Sequence, residues 1–561
     1  MEQSHYAIHI APHRCAGCYR CVRACSCGAI VIRNQRAAIA QEECTRCGAC
    51  RKACPHGMIS LRDDVESVRR LLKNSDTVFA SLDPAWVGEF AGIAPQRMIE
   101  ALILLGFKSV GETLLGRIAY DKAAEEQLQR HPRRAISTVC PVVVRLIRHH
   151  YPEQAERLLP VAHPAVLHAR MIRRWHGQGS KVVYITPCVA AKSNPDEISE
   201  LDAVITFGEL RRWMREEGVE FDLIPGNDSY RFEPGEADYT PPRIAAPLTC
   251  SGMAAVRELL AGEEAERSGE AREARLLELL GCTGGCAGAA DSQQGKERHS
   301  IVDKIGACDR FYRERTLANP VYKLPFIATV AAYPAQPAER FRVAASQIEA
   351  ALASIGKSAE RDMPNCSGCG YETCREFARA LCIGRAEPEM CLSYTRALAQ
   401  KKSSVLLEHL ASGVLFVDAE LRIVEANRQA ARLLGPQAEQ LFDSHRGLSG
   451  VAVETLAPLG DLLRQALNSD RETIEQDLRL KGKLLHLSAF PVETHRSVGV
   501  LIGTLRIGSG ENDEMVRRTR QVIRENLETV QQIAWLLGEN ASRTEAILNS
   551  IVTAADDDRS E

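Results

Sequence analysis

Between about Val65 and Ala345 the apolar residues come in short unbroken runs, separated by longer stretches in which they recur every three or four positions. The runs at 77–82, 135–139, 181–185 and 203–206 read as strands and the stretches between them as helices. A strand buried on both faces needs no polar alternation, whereas a surface helix keeps one apolar stripe. Such alternation predicts βαβ units and parallel sheets. The pattern changes at Lys401-Lys402-Ser403-Ser404, where a boundary is expected. Beyond it, Gly413–Asp418 and the segment from Arg422 read as two strands followed by a helix starting near Asn427, with later strands at 483–488 and 497–502. From Glu514 to about Thr553 the pattern is that of one long helix. Ile523, Leu527, Val530, Ala534, Leu537, Ala541, Leu548 and Ile551 keep an alternating 4-3 register with Thr544 as its polar member. That is either a coiled-coil seam or the apolar stripe of a helix packed back on the preceding domain.

A chain of 561 residues holds several cores, so about three to five domains are expected. The net charge of -3 leaves no basic stripe for nucleic acid, and the acidic end is limited to Asp556-Asp557-Asp558. The polar start Met1-Glu2-Gln3-Ser4-His5 and a first ligand cysteine at position 15 leave no room for a signal peptide, and no apolar run reaches membrane-spanning length. A cytoplasmic protein without membrane or nucleic-acid partner is the expectation.

The 20 cysteines carry the chemistry. Disulfides explain dense cysteines in small secreted chains, but clustered CxxC spacings in a large chain favour metal. Cys15-x2-Cys18-x2-Cys21-x3-Cys25 is repeated as Cys44-x2-Cys47-x2-Cys50-x3-Cys54-Pro55. This is the run of a two-cluster ferredoxin, in which the fourth cysteine of each motif ligates the other cluster. One 4Fe-4S cubane is expected on Cys15, Cys18, Cys21 and Cys54, the other on Cys44, Cys47, Cys50 and Cys25. Zinc sites use two CxxC pairs rather than a run of four. The first motif ends Cys25-Ser26-Cys27 where proline is usual, so Cys27 is either spare or an alternative to Cys25. A third group, Cys366-x2-Cys369-x4-Cys374-x16-Cys391, reads as a further cubane site and is similar to a small 4Fe-4S domain of anaerobic electron-transfer proteins. Cys250, Cys308 and Cys382 read as packing residues.

Cys140, Cys188, Cys282 and Cys286 are scattered through the α/β stretch, the first two just after predicted strands and each beside a proline. Strand C-termini are where α/β folds place their chemistry. Ser137-Thr138-Val139-Cys140-Pro141, Thr186-Pro187-Cys188-Val189-Ala190-Ala191-Lys192 and Leu277-Glu278-Leu279-Leu280-Gly281-Cys282-Thr283-Gly284-Gly285-Cys286 resemble, in order, the three motifs of FeFe-hydrogenases. The resemblance implies that the four cysteines hold the cubane of an H-cluster, with Cys286 bridging to a diiron subsite carrying CO and cyanide. It makes Cys286 and Lys192 the expected catalytic residues. Two positions depart from the family. Val139 stands where active members have a proton-relaying cysteine. Ala191 stands where they have the lysine that hydrogen-bonds a cyanide, so Lys192, one place later, would have to take that part by a small loop shift.

The segment after 401 resembles the opening of a PAS domain. Its His409, His445, His486 and His495 read as ordinary histidines rather than haem ligands, and the PAS ligand is left unassigned. The fold expected is multidomain: an α+β ferredoxin at 1–62, an α/β hydrogenase core with parallel sheets at 63–345, a 4Fe-4S domain at 346–400, an α+β PAS domain at 402–508 and a long helix at 513–556. Together these resemble the sensory FeFe-hydrogenases. The resemblance implies a slow hydrogen or redox sensor that exchanges electrons with a carrier such as ferredoxin, signals to a kinase or phosphatase, and forms a homodimer through the PAS domain and C-terminal helix. The rivals are a catalytic ferredoxin-linked hydrogenase and an iron-sulfur electron-transfer or assembly protein holding only a cubane.

Overall fold

The two cysteine repeats fold as a pseudo-symmetric pair, because each tight cysteine loop leads into a short helix and then a strand. In the computed structural model the strands are β1 Ile8–Ile10, β2 Ile30–Arg33, β3 Arg36–Ile39 and β4 Ile59–Leu61. β1 and β4 pair antiparallel with Ile8 opposite Leu61, tying the ends of the module together. β2 and β3 form a hairpin whose two loop residues, Asn34 and Gln35, both have positive φ (51° and 59°), the backbone a two-residue turn demands. The structure describes residues 6–505 except 12–14, 131–133, 193–199, 228–231, 233–246, 263–274, 290, 292–299, 319–323, 340, 446, 470–472 and 494. The helix expected at 513–556 lies outside the described residues.

The chain divides into two compact units, Met1–Glu387 and Pro388–Glu561. The core of the first is built on β5 Val78–Leu82, β6 Ser109–Glu112, β7 Ala135–Ile136, β8 Lys181–Thr186, β9 Ala203–Thr206, β10 Leu248–Ser251 and β11 Leu276–Leu280. They form two parallel sheets, in the orders β6-β5-β8-β9 and β10-β11-β7. All five residues of β5 are buried, which is why its sequence lacks polar alternation. The strand read at 135–139 stops after two residues. Ser137 and Thr138 turn instead to Tyr120, whose hydroxyl accepts the Thr138 N–H at 2.8 Å, while the Thr138 hydroxyl donates to the Val161 carbonyl.

Lys192 ends the short helical turn Val189–Lys192 that follows Cys188. Its side chain is fully buried, and its ammonium sits 2.7 Å from Asp64 and 2.8 Å from Glu209, with the carbonyls of Arg62 and Val204 at 3.0 and 3.2 Å. Its hydrogens are thus committed to two carboxylates and two carbonyls, and it joins the end of the ferredoxin module to β9 and the helix Phe207–Glu216. Glu209 is also the reciprocal partner of Thr206 in that helix's capping box. Moving the ammonium to another partner would leave Glu209 without its cation and Asp64 with Arg62 alone, at 2.8 Å.

In the second unit the helix Leu392–His409 runs through 401–404 without a break. Lysine and serine end no helix by themselves, so the compositional shift there falls within a continuous helix. β12 Gly413–Asp418, β13 Ile423–Ala426, β14 Ile474–Leu480, β15 Lys483–Glu493 and β16 Ser497–Leu505 form one antiparallel sheet in the order β13-β12-β16-β15-β14. β14 escaped the sequence reading because Glu475, Gln476 and Asp477 are exposed on an edge strand. Asn427 caps the helix Arg428–Leu434 and is buried with both ends of its amide used. Its oxygen accepts from the Val414 and Ala430 amides at 2.8 Å, and its nitrogen donates to the Leu407 and Ser412 carbonyls at 2.9 Å. His486 is buried with Nδ1 2.5 Å from Asp477, while His409 and His495 are exposed.

Two substitutions test these networks. Lys192→Met should destabilise the first unit by about 3–5 kcal/mol, the cost of leaving buried Glu209 without the Lys192 ammonium while Asp64 keeps only Arg62, and adding Glu209→Gln should recover part of it. Asn427→Ala removes a cap and four buried hydrogen bonds and should cost roughly 2 kcal/mol or more in the second unit. Denaturant midpoints, followed unit by unit, are the measurement.

Candidate iron-sulfur centres

Cys140 caps the helix Pro141–His150 just beyond β7, Cys188 follows β8, and Cys282 and Cys286 follow β11. The four sulfurs thus come from strand ends in both parallel sheets. The loop after β11 needs its glycines: Gly284 and Gly285 have φ of +70° and +68°, and a Cβ on Gly288 would fall 1.9 Å from the Thr283 carbonyl oxygen. The structure brings the four thiols together. Burial raises the pKa of Cys188 well above the ordinary thiol range, and the neighbouring Cys140 and Cys282 raise it further. Cys282 is pushed up to about 12 by burial, then by Cys140 and by Cys47 of the ferredoxin module. Cys286 is raised by burial, then by Asp83, Cys188, Cys140 and Cys282. Cys286 is the exposed member of the four, so its sulfur keeps accessible surface where the others are partly covered. A recess walled by four mutually repelling thiols fits a cationic iron core better than four protonated thiols.

Several groups at this recess were not found from the sequence. Asp83 follows β5 directly and is the first charge acting on Cys286. Its carboxylate accepts from the Tyr184 hydroxyl at 2.5 Å, the Thr186 hydroxyl at 3.0 Å and the Ala85 amide at 2.9 Å. Burial still raises its pKa against these bonds. His163 is held neutral by burial, its pKa lowered to about 4, and its ring hydrogen-bonds the Val139 backbone. Val139 packs its side chain among Leu115, Ile118 and their neighbours. Cys308, read as packing, is only partly buried, with its sulfur 3.9 Å from the Pro84 carbonyl and near Asp83. Strand-end position was the signal for Asp83, since the run at 77–82 was already legible.

The ferredoxin module shows the crossed arrangement of sulfurs. Cys54 joins Cys15, Cys18 and Cys21 around one recess, and Cys25 faces Cys44 and Cys47. Cys21 also acts on Cys50, so the two recesses adjoin. Arg145, on the helix that Cys140 caps, donates to the Cys44 carbonyl at 3.0 Å. On the other side Tyr371 lies between Cys369 and Cys25, both of which act on its hydroxyl, and its pKa is pushed up to about 12, chiefly by burial. Arg385 pairs with Glu43 and donates to the Gly28 carbonyl, fastening that segment to the ferredoxin module. Cys366, Cys369 and Cys374 belong to the first unit and Cys391 to the second. Cys382 is exposed and does not pack as expected; Cys250 joins the core around Ile136 and Leu277. Among the described residues no three His, Cys, Asp or Glu side chains close to the spacing of a single metal ion. No described helix is long and apolar enough to cross a membrane.

Four family models match the chain. Residues 76–241 match the iron only hydrogenase large subunit, C-terminal domain, 37–60 a 4Fe-4S binding domain, 363–393 an Fe-S cluster domain and 401–472 a PAS domain. Cys282 and Cys286 lie beyond the hydrogenase match. No curated protein matches. Among solved structures, the FeFe-hydrogenase HydA(deltaEFG) is 17% identical with a TM-score of 0.38, over 49% of this chain and 99% of its own. An apo variant of FeFe-hydrogenase HydA1 from Chlamydomonas reinhardtii gives 16% and 0.38 over the same shares. A PAS domain from a two-component sensor histidine kinase is 13% identical with a TM-score of 0.15, over 19% of this chain and 97% of its own. The chain is thus a multidomain iron-sulfur protein in which a hydrogenase large-subunit domain of the iron-only type is joined to 4Fe-4S domains and a PAS domain.

Proposed function

We propose that this chain is a hydrogen or redox sensor of low turnover. The observation that carries the reading is the meeting of Cys140, Cys188, Cys282 and Cys286 at one recess with Cys47 of the ferredoxin module beside Cys282. In this reading the four cysteines hold a cubane, and Cys286 bridges it to a diiron subsite. When bound, that subsite supplies the chemistry that splits H2 into protons and electrons. Cys15, Cys18, Cys21, Cys54 and Cys44, Cys47, Cys50, Cys25 hold the two ferredoxin cubanes, and Cys366, Cys369, Cys374 and Cys391 a fourth. The protein's part is to bury the recess, hold it against the ferredoxin module, and supply backbone N–H groups such as that of Gly281, which donates to the Cys140 sulfur at 3.4 Å.

Two features favour a sensor over a fast enzyme. Val139 offers no proton, and Lys192 is spent on Asp64 and Glu209. The same engagement of Lys192 also suits a recess that holds a cubane alone, which is the second reading. The output runs through the second unit. Cys391 caps the helix Leu392–His409, and the Leu407 carbonyl near its far end is held by Asn427 of the PAS sheet. A change at Cys391 thus has one helix to travel before it reaches the sheet. A low-potential carrier on the input side, a kinase or phosphatase on the output side and a homodimer complete the proposal.

Anaerobic reconstitution should load about four cubanes, or about sixteen irons, per chain. Cys140→Ser or Cys282→Ser should each remove about four irons and any H2 reactivity while the reduced-state EPR signals of the ferredoxin pair persist. Full iron in both variants would strike these residues from the ligand set.

Restoring the missing proton donor is the sharper test. Wild type, matured with the diiron unit, should show weak H2–D2O exchange; Val139→Cys should raise it, by up to roughly 10²–10⁴, the worth of a positioned acid. Val139→Ala makes room without adding a donor and should not. Carbonyl and cyanide infrared bands must accompany the activity. Their absence from all three matured proteins would leave a cubane alone in the recess.

A further inference from the structure

The two ferredoxin halves differ at one equivalent position. Two residues after the crossing cysteine, the second half has His56 and the first has Cys27. His56 lines the recess of Cys15, Cys18, Cys21 and Cys54. Cys27 faces the other recess. Its sulfur is 3.7 Å from that of Cys25, and it lies near enough to Cys44 and Cys47 to act on both, as Cys25 does. The loop Cys44-x2-Cys47-x2-Cys50 is therefore met by two sulfurs where one completes a cubane.

Each sulfur also has hydrogen-bond partners to stabilise it when it is not a ligand. The Ala29 amide donates to Cys25 at 3.2 Å. Thr45 offers its hydroxyl to Cys27 at 3.9 Å, and the His150 ring hydrogen-bonds Cys27 while also meeting the Glu43 carbonyl at 2.8 Å. Neither conformation leaves a buried sulfur without a donor, so neither is strongly disfavoured.

We propose that Cys25 and Cys27 are interchangeable fourth ligands of the cubane held by Cys44, Cys47 and Cys50. Exchange breaks one iron–sulfur bond and forms another. The proton leaving the incoming thiol ends on the departing thiolate, so charge and electron count are unchanged. The choice falls on a cubane whose cysteines neighbour three other cysteine groups of the first unit: Cys47 neighbours Cys282, Cys50 neighbours Cys21, and Cys25 shares Tyr371 with Cys369. The two ligands bring different donors to the cluster sulfur, an amide for Cys25 and a hydroxyl plus an imidazole for Cys27. Hydrogen bonds to ligand sulfur set cluster potential, and the richer donor set favours the electron-rich reduced state. Ligation by Cys27 therefore gives the higher potential and alters the flow between the hydrogenase recess and the other clusters.

The test compares iron content and reduced-state EPR in full-length, anaerobically reconstituted wild type, Cys25→Ala, Cys27→Ala and the double variant. Both single variants should keep the iron of wild type. The double variant should hold about four irons fewer, or show a three-iron signal in place of one cubane. In redox titrations Cys25→Ala should have the higher potential for this cluster. The signal of the cubane on Cys15, Cys18, Cys21 and Cys54 reports folding in every sample, and Cys25→Ser and Cys27→Ser replace any alanine variant that loses it. A single variant that keeps that signal yet loses as much iron as the double identifies its cysteine as the fixed ligand and overturns the proposal. Equal potentials in the two singles would overturn the predicted effect on electron flow.

Discussion

Gathering thiolates away from water is the constraint under which this chain folds. Each buried sulfur resists ionisation because burial disfavours its charged form, and each neighbour adds repulsion, so Cys21, Cys44 and Cys282 all stand near 12. Only a cation at the centre reverses that balance, which makes cluster binding part of the folding free energy of such a module. The local architecture reads as a response to the same problem. The amides of Ala29, Arg46 and Gly281 point at the sulfurs of Cys25, Cys44 and Cys140. The left-handed glycines at 284 and 285 carry the backbone past Cys282 and Cys286 in a loop that side chains would obstruct.

This explains what was legible in the sequence and what was not. The outer cysteine groups are mostly local chemistry, with two, three or four residues between successive ligands except before Cys391, so their spacing alone points to clusters. Of the middle four only Cys282 and Cys286 are close in sequence, and only strand-end position and resemblance could relate that pair to Cys140 and Cys188. Asp83 and Lys192 show the limit. Both are charged residues beside readable motifs, and both owe their roles to partners distant in sequence: Tyr184 for Asp83, Asp64 for Lys192. Lys192 lay one residue from the position expected of a cyanide anchor, yet on the short helical turn Val189–Lys192 that offset turns the side chain to a different neighbour. Ala191 instead packs in the apolar cluster with Tyr184 and Val204. β14 was missed for the opposite reason, since an exposed edge strand lacks the apolar run that marked the buried ones.

Among the described residues, several polar contacts tie the hydrogenase-type core to the ferredoxin module. The Lys192 cluster, Arg145 on the Cys44 carbonyl and the His150 contact with the Glu43 carbonyl all cross that seam. Two of these three come from the helix that Cys140 caps. That helix reaches from a ligand of the hydrogenase recess to the loop that carries Cys44, so any shift of one cluster site relative to the other must strain it. Electron transfer of the kind proposed would benefit from such a seam, because the centres would not have to dock anew before each step.

Slow chemistry suits the proposed role. An enzyme is selected on flux, so a missing proton donor is a defect; a sensor needs its centre to report the ambient redox state, which depends on equilibrium and not on rate. Fast turnover through the recess would make the clusters follow the supply of electron carriers instead. In that proposed role, valine at 139 and a lysine engaged by Asp64 and Glu209 would both lower turnover without disturbing the cysteines. The output side has the matching property. With Cys391 as a ligand at the N-cap position of one helix, and buried Asn427 holding that helix near its far end, a small change in sulfur position would reach the second unit's sheet with few intervening degrees of freedom. A signal carried this way must differ in free energy between the two redox states at Cys391 itself, because no element can be biased by a change it does not feel.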